Sequence, residues 1–186
     1  RLTELPLGVF AIAIATVILP TLSGQRARAD DPAFASTLSW AIRSVLLIAI
    51  PATAALAVLA EPLLATLFQY GAFSGDDRAM AAASLRAYTL GLGAFMLVKA
   101  LAPGFYARED MRTPVRIGII AMVANMVLNV AFVFPLMWWL NLGHVGLALA
   151  TSVSAWLNAL LLFRGLRRDA VLPQSGLSMK WLVPVG

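Results

Sequence analysis

The longest uncharged stretch of the chain runs from Ile117 to Phe163, 47 consecutive residues without Asp, Glu, Lys or Arg. A soluble domain carries charge on its outward faces, so this pattern indicates an integral membrane protein. As one helix the stretch would measure roughly 70 Å, more than twice the roughly 30 Å hydrocarbon core of a bilayer. It must therefore fold back as two spans. The turn is expected at a cluster of turn formers and interfacial aromatics, namely Pro135, Trp138, Trp139, Asn141, Gly143 and His144, with His144 solvated at the surface.

Apolar runs of similar length fill most of the remaining chain. Hydrocarbon cannot satisfy backbone polar groups and a spanning strand needs only about ten residues, so these runs are predicted to be helices. The predicted spans are approximately residues 5–22, 38–59, 82–101, 115–134 and 145–163, and a sixth begins at about residue 179. The expected fold class is an all-α polytopic membrane protein built as a helical bundle. Pro20 and Pro51 remove helix hydrogen bonds inside their spans and predict kinks.

Composition agrees with this picture: 61% of the residues are hydrophobic, 12% are charged, and the mean hydropathy is +0.85. The net charge of +5 would suggest nucleic acid in a soluble protein. Here the basic residues sit in short loops between apolar runs, where they act as orientation signals and headgroup contacts, so no nucleic-acid partner is expected. The absence of cysteine excludes disulfides and thiolate metal sites. Because the chain opens on Arg1 directly before an apolar run, we expect it to be a piece of a longer protein.

The loops alternate in charge and so predict the orientation of the spans. Basic residues mark the first, third and fifth loops, namely Arg26, Arg28, Arg108, Arg112, Arg116, Arg164, Arg167, Arg168 and Lys180. The second loop offsets Arg78 with Asp76 and Asp77, and the fourth loop has no Lys or Arg. By the positive-inside rule the first, third and fifth loops are cytoplasmic.

Several charged residues fall at or near membrane depth. Arg1 and Glu4 are three residues apart at the outer start of the first span, a spacing that places them on one helix face where they can pair. They form either an interfacial ion pair or a charged group facing a water-filled cavity. Lys99 lies deeper than Arg43 and Arg86, for which snorkelling towards the headgroups is the expected account. For Lys99 a cavity-facing role is the alternative to snorkelling.

Polar residues in the last two spans form a second group. Asn125 and Asn129 share one face of the fourth span at i, i+4, and Thr151 lies across the hairpin in the fifth. Interhelical hydrogen bonding is the default explanation for such residues. A small cation site is the alternative, although carboxamide and hydroxyl oxygens without a carboxylate make a weak ligand set.

No catalytic constellation accompanies these spans. His144 has no nucleophile or carboxylate partner suggested by sequence, and no phosphate-cradling glycine loop occurs, so no enzymatic activity, metal site or cofactor is expected. Small residues in the third and fifth spans are predicted to be close helix-packing positions, namely Gly91, Gly93, Gly146, Ala148, Ala150 and Ser152. Charges in a polytopic bundle without reactive groups favour transport.

Particular strings resemble the MurJ (MviN) lipid II flippases of the MOP exporter superfamily. The strings are RLTELPLG at residues 1–8 with TVILP at 16–20, LFQYGAF at 67–73, VK at 98–99 with LAPGFYARED at 101–110 and RTPV at 112–115, GHVGL at 143–147, and AWLN at 155–158. They occur in the family's order over nearly the whole chain. The resemblance implies helices eight to twelve of a fourteen-helix protein, with the start of helix thirteen, in the carboxy-terminal lobe of a MOP-type transporter.

The resemblance also implies a function. The protein would move lipid II, the undecaprenyl-pyrophosphate-linked peptidoglycan precursor, from the cytoplasmic to the periplasmic leaflet of the bacterial inner membrane by alternating access. In that family an arginine and a glutamate of helix eight contribute to a cationic central cavity, and they match Arg1 and Glu4. These two residues, together with Lys99, are the predicted substrate-binding residues, and Asn125, Asn129 and Thr151 are the candidate cation-binding residues for coupling to a monovalent cation or the membrane potential.

The implied partners are lipid II, membrane lipids and the remaining helices of the full-length protein. Two alternatives stay open at this point. One is another exporter of the superfamily that carries a drug or a different polysaccharide-lipid, and the other is a membrane scaffold that transports nothing.

Overall fold

The computed structural model describes residue 4 and residues 7–68, 75–140 and 143–168. A π-helical turn, Leu7–Ala11, leads into five α-helices. We label them α1 (Ile12–Ala27), α2 (Asp31–Phe68), α3 (Gly75–Tyr106), α4 (Arg112–Leu140) and α5 (Gly143–Arg168). The sixth span predicted from about residue 179 lies outside the described residues.

Each helix contains one of the five predicted spans and extends beyond it, apart from the first span, whose start precedes α1. All five have segments long and apolar enough to cross a membrane by length and composition. The extensions arise because hydropathy marks only the width of the hydrocarbon, whereas a helix continues into the headgroup region and beyond. Within the described residues every regular element is helical, which confirms the expected all-α polytopic class. Pro20 and Pro51, where we predict kinks, lie inside α1 and α2.

Two helices form the inside of the bundle. In α3 and α5 the most apolar segments are 44% buried, compared with 17% in α1, 17% in α2 and 11% in α4. α3 packs against α1, α2 and α5, while α5 packs against both α3 and α4. The order α2–α3–α5–α4 therefore describes the main layer, and α1 lies against α2 and α3 through the fully buried Ile18 and Leu22.

Small residues allow α5 to lie between two neighbours. A Cβ atom on Gly91 of α3 would come 2.9 Å from Cα of Ser152, and one on Gly146 of α5 would come 2.9 Å from the carbonyl oxygen of Phe132 in α4. Real Cβ atoms do not approach backbone this closely, so both positions require glycine. The residues predicted from sequence as close-packing positions are all buried, which confirms that prediction: Gly91, Gly93, Gly146, Ala148, Ala150 and Ser152.

Hydrogen bonds from α5 fix its register on α3. The Ser152 hydroxyl donates to the carbonyl of Ala87 over 2.7 Å, and the Trp156 Nε1 donates to the carbonyl of Leu90 over 2.8 Å. The two donors are one turn apart, as are the two acceptors. Sliding one helix along the other by a turn would break both bonds.

The two described loops on the predicted cytoplasmic side share one construction. Ala29 and Glu109 have left-handed backbones, with φ of 54° and 60°. In each loop the next residue, Asp30 or Asp110, donates its N–H to the carbonyl five residues earlier. Each aspartate then caps the following helix: an Asp30 oxygen accepts from the N–H of Ala33, and an Asp110 oxygen accepts from two backbone N–H groups. A left-handed C′ residue followed by an aspartate N-cap turns the chain back within a few residues.

The predicted hairpin lies between α4 and α5, but its turn is shorter than expected. Pro135 and Trp138 belong to α4, which continues to Leu140, and α5 begins at Gly143. The expectation that His144 is solvated is wrong, because it is only partly exposed and its Nε2 atom is buried, with no hydrogen-bond partner among the residues that the structure describes. His144 lies in the first turn of α5, where that helix packs against α4.

Replacing Gly91 by Ala should destabilise the full-length protein, since the added methyl meets the backbone of Ser152. Overpacking of this kind costs about 1–3 kcal/mol. Gly118→Ala is the matched control, because nothing lies within 4 Å of the position that its added methyl would take and alanine favours helix. Thermal unfolding in detergent should show a lower midpoint for Gly91→Ala and an unchanged or higher one for Gly118→Ala. Equal midpoints for the two variants would contradict the packing described.

Removing the α4 cap in Asp110→Ala should cost about 1 kcal/mol at neutral pH. Hydrogen bonds from Thr113 and from the Arg112 N–H lower the pKa of Asp110 below its ordinary value of 3.8. Because the folded protein lowers this pKa, the ionised carboxylate stabilises the fold at any pH above its ordinary pKa. This stabilisation is lost as the pH falls through the lowered pKa.

The difference in thermal midpoint between wild type and Asp110→Ala should therefore be largest near neutral pH and shrink below about pH 4. Asp31→Ala serves as the control, since that exposed carboxylate pairs only weakly, at 3.3 Å from Arg26 Nη1. A difference that grows on acidification would overturn the assignment of Asp110 as an ionised cap.

Candidate functional site

The amino-terminal charge pair is only partly within the described residues. Arg1 lies outside them, while Glu4 is helical and exposed. Glu4 therefore presents its carboxylate at the start of the first span, away from the buried core. The substrate-binding role of Arg1 and Glu4 stays a prediction.

A π-helical turn follows Glu4 at Leu7–Ala11, and sequence reasoning missed it. π-helical turns are rare and frequently occur at functional sites, because the extra residue per turn re-aims the side chains that precede it. The turn contacts α3 and ends at Ala11, which is fully buried. Pro6, which has no N–H to donate, is the only signal in the sequence for an irregular first turn.

Lys99, the third predicted substrate-binding residue, lies on the exposed side of α3. Its neighbours Met96 and Ala100 are fully buried, so the lysine is directed away from the core. Its position places an ammonium on the surface of the bundle about 13 Å along the helix axis from the loop residue Arg108. A role in substrate binding stays a prediction for Lys99 as well.

The polar residues of α4 and α5 form a connected hydrogen-bond chain. Asn129 Nδ2 donates to Asn125 Oδ1 over 3.1 Å, and Asn125 Nδ2 donates across the interface to Ser154 Oγ over 3.1 Å. Ser154 in turn donates to the carbonyl of Thr151 over 2.9 Å. Asn125 thus makes the interhelical bond expected of it, and its partner Ser154 was missed because no side-chain pattern shows which residue faces Asn125.

The candidate cation-binding residues are only partly brought together. The Thr151 hydroxyl donates to the carbonyl of Leu147 in its own helix over 2.9 Å, and only its backbone carbonyl joins the chain. Asn129 Oδ1 is buried and accepts no hydrogen bond from the described residues. Cation binding stays a prediction for Asn125, Asn129 and Thr151. Among the described residues no group of three or more His, Cys, Asp or Glu could hold a metal ion.

A second charged cluster, which sequence reasoning missed, joins α2 and α3. Arg86 Nη2 lies 3.7 Å from Glu61 Oε2, and Arg78 Nη2 lies 3.9 Å from Glu61 Oε1. Arg86 Nε also donates to the carbonyl of Ala57 over 3.3 Å. Snorkelling alone, which we expected for Arg86, is therefore an incomplete description. The signal for this cluster in the sequence was Glu61 itself, since it follows an apolar run and is one of only nine acidic residues in the chain.

Comparison with known proteins shows which family this chain matches. The family described as "Lipid II flippase MurJ" matches residues 1–184. A Vibrio cholerae protein named "Probable lipid II flippase MurJ" is 54% identical over 171 residues, which is 92% of this chain and 31% of that protein. A Burkholderia cenocepacia protein named "Lipid II flippase MurJ" is 42% identical over 175 residues, 94% of this chain and 33% of that protein.

A solved structure is also similar to this chain. The structure titled "Lipid II flippase MurJ, inward closed conformation" superimposes with a TM-score of 0.78 at 28% sequence identity, over 93% of this chain and 34% of that one. The chain thus spans about a third of the length of the relatives it matches.

The Asn125–Ser154 bond should be measurable as an energetic coupling. In a double-mutant cycle of Asn125→Ala and Ser154→Ala in the full-length protein, we expect a coupling of about 0.6 kcal/mol, the average for interhelical hydrogen bonds in a membrane. Thr66→Ala is the control partner, since the Thr66 hydroxyl donates only within α2. Its effect should add to that of Asn125→Ala within about 0.3–0.5 kcal/mol. Additivity in both cycles would show that the bond contributes nothing.

Proposed function

Because the chain belongs to the MurJ family of lipid II flippases, we propose that the full-length protein translocates lipid II across the bacterial inner membrane. Lipid II, the undecaprenyl-pyrophosphate-linked peptidoglycan precursor, would pass from the cytoplasmic to the periplasmic leaflet. The observation that carries the proposal is the family match over residues 1–184, supported by a TM-score of 0.78 to a flippase structure.

The described helices would serve as one rigid part of the transporter. α3 and α5 meet through glycine and hydroxyl contacts, and α5 is held on α3 by two hydrogen bonds one turn apart. Packed interiors resist continuous deformation, so motion is expected at their boundaries. In an alternating-access cycle α2 to α5 would therefore move together relative to the other lobe of the protein.

The chemical problem in moving this lipid is its pyrophosphate. An anion leaving water needs its charge matched by the protein, and arginine offers a planar fork of donors suited to phosphate oxygens. Arg1 would provide this charge. Glu4, which is exposed at the start of the same span, would hold the guanidinium until the lipid headgroup displaces it.

The proposed activity of the full-length protein is transport. The family is one of flippases, which move a lipid between leaflets, and we propose that the full-length protein catalyses no covalent reaction. For the energy source we propose coupling to a monovalent cation or the membrane potential. Asn129 Oδ1, which has no hydrogen-bond partner in the described part of the chain, supports a cation contact between α4 and α5.

Neutralising Arg1 in the full-length protein should reduce lipid II translocation without unfolding it. A hydrogen bond to a charged group contributes about 1.5–3 kcal/mol, so Arg1→Gln should lower the flipping rate in proteoliposomes about tenfold or more. Glu4→Gln should also lower it, because the guanidinium loses its partner. Arg28→Gln is the matched control, since that exposed arginine lies in the loop between α1 and α2.

Two outcomes would contradict the proposal. Unchanged lipid II flipping with lost export of another polyprenyl-linked sugar or a drug would identify a different exporter of the superfamily. Unchanged flipping and unchanged peptidoglycan synthesis in both variants would favour a scaffold that transports nothing.

A further inference from the structure

The spacing of buried residues in the first span predicts where Glu4 would lie if the helix were regular. Ala11, Ile18 and Leu22 are buried and lie seven and four residues apart, as expected for one face of an α-helix. Seven residues make almost two full turns, so residues at that spacing share a face within about 20°. Glu4 precedes Ala11 by seven residues. An uninterrupted α-helix would therefore place its carboxylate on the face that packs against the core.

Glu4 is helical but exposed, and the end of the bundle does not explain this. In the orientation predicted from the loop charges, α1 and α3 both run from the outer to the cytoplasmic side, where each ends in a loop of the same construction. Glu4 lies 23 residues before the last residue of α1, whereas α3 begins 31 residues before its own last residue. α3 therefore continues outwards for about two turns beyond the level of Glu4.

The π-helical turn Leu7–Ala11 accounts for the exposure of Glu4. A π-turn closes with i→i+5 hydrogen bonds and so takes up about one residue more than an α-turn. One residue corresponds to about 100° of rotation in an α-helix, so the turn rotates Glu4 by about this angle away from the face of Ala11. The wider turn has room, because Val9 and Phe10 are 60% and 45% exposed and nothing lies within 4 Å of the position that a Cβ atom on Gly8 would take.

We propose that the Leu7–Ala11 turn is a positioning element of the headgroup site, whose extra residue keeps the Glu4 carboxylate off the core face. This inference rests on the proposed function, in which Glu4 holds the Arg1 guanidinium until the lipid headgroup displaces it. A carboxylate turned into the core would be desolvated and out of reach of a substrate in an aqueous cavity. The direction of Glu4 then depends on how many residues separate it from Ala11, and not on which residues they are.

Changing the number of residues in the turn tests this dependence in the full-length protein. Deleting Gly8 leaves the number that a regular α-helix needs, so the turn becomes α-helical and Glu4 keeps its direction. Inserting one alanine after Gly8 adds about 100° of rotation and brings position 4 onto the core face. Gly8→Ala is the matched control, because it keeps the residue count and nothing lies within 4 Å of its added methyl.

The direction of position 4 is measured without lipid II. Glu4→Cys is introduced into full-length protein without other cysteines, and its alkylation by N-ethylmaleimide is timed in the parent and in the three backgrounds. Ala11→Cys, at a fully buried position, gives the rate of a core thiol. The parent, the Gly8 deletion and Gly8→Ala should all be alkylated fast. The insertion should react about tenfold more slowly or less, because a core thiol reacts only when its segment opens.

Lipid II flipping by the same backgrounds with Glu4 intact connects the turn with transport. The Gly8 deletion and Gly8→Ala should flip at close to the wild-type rate, and the insertion about tenfold more slowly, the scale of one lost charged hydrogen bond. A turn with only a structural role would be damaged by the deletion at least as much as by the insertion, and that result would overturn the proposal.

The alkylation rates can overturn the proposal independently of transport. Equal rates at position 4 in all backgrounds would do so, as would a parent in which the thiol at position 4 reacts as slowly as the thiol of Ala11→Cys. The expected alkylation pattern together with normal flipping by Glu4→Gln would instead overturn the role of Glu4 in the proposed function, since the turn would still set the direction of a residue that transport does not need.

Discussion

Close contact between α3 and α5 determines how the other helices of the bundle are placed. Lipid is as apolar as leucine, so burial alone does not drive helices together in a bilayer and association relies on packing and interhelical hydrogen bonds. Gly91 removes the side chain that would collide with Ser152, and this approach brings the serine hydroxyl to the carbonyl of Ala87. Because α5 also packs closely against α4 at Gly146, this one helix of small residues joins both sides of the bundle.

The same arrangement explains how polar groups are tolerated at membrane depth. Asn125 and Ser154 satisfy one another between α4 and α5, and Arg86 is paired with Glu61 and a backbone carbonyl between α2 and α3. Unpaired polar groups in hydrocarbon are costly. These hydrogen bonds and ion pairs therefore stabilise the helix pairs and also satisfy the polar side chains. Lys99 and Glu4 lie on exposed faces of their helices instead.

Properties encoded along one helix could be predicted from the sequence. The number of helices follows from the length of apolar runs, and the glycine and serine positions of α3 and α5 follow from the need for close approach. Pairings between helices could not be predicted, because they depend on rotation and register. Glu61 and Arg86 are 25 residues apart on different helices, and Ser154 became the partner of Asn125 only through the fold. The burial of His144 Nε2 was missed for the same reason, since a turn residue at the membrane surface carries no signal of its burial.

In the proposed transport cycle, α2 to α5 move as one rigid body within the full-length protein. Electron–electron double resonance can measure this between spin labels at Ala55 of α2 and Met126 of α4, both exposed, on a cysteine-free full-length protein in lipid. The packing through α3 and α5 predicts a single distance distribution that does not change when lipid II is added. A second distance that becomes populated on adding lipid II would contradict it, because the bundle itself would then rearrange during transport.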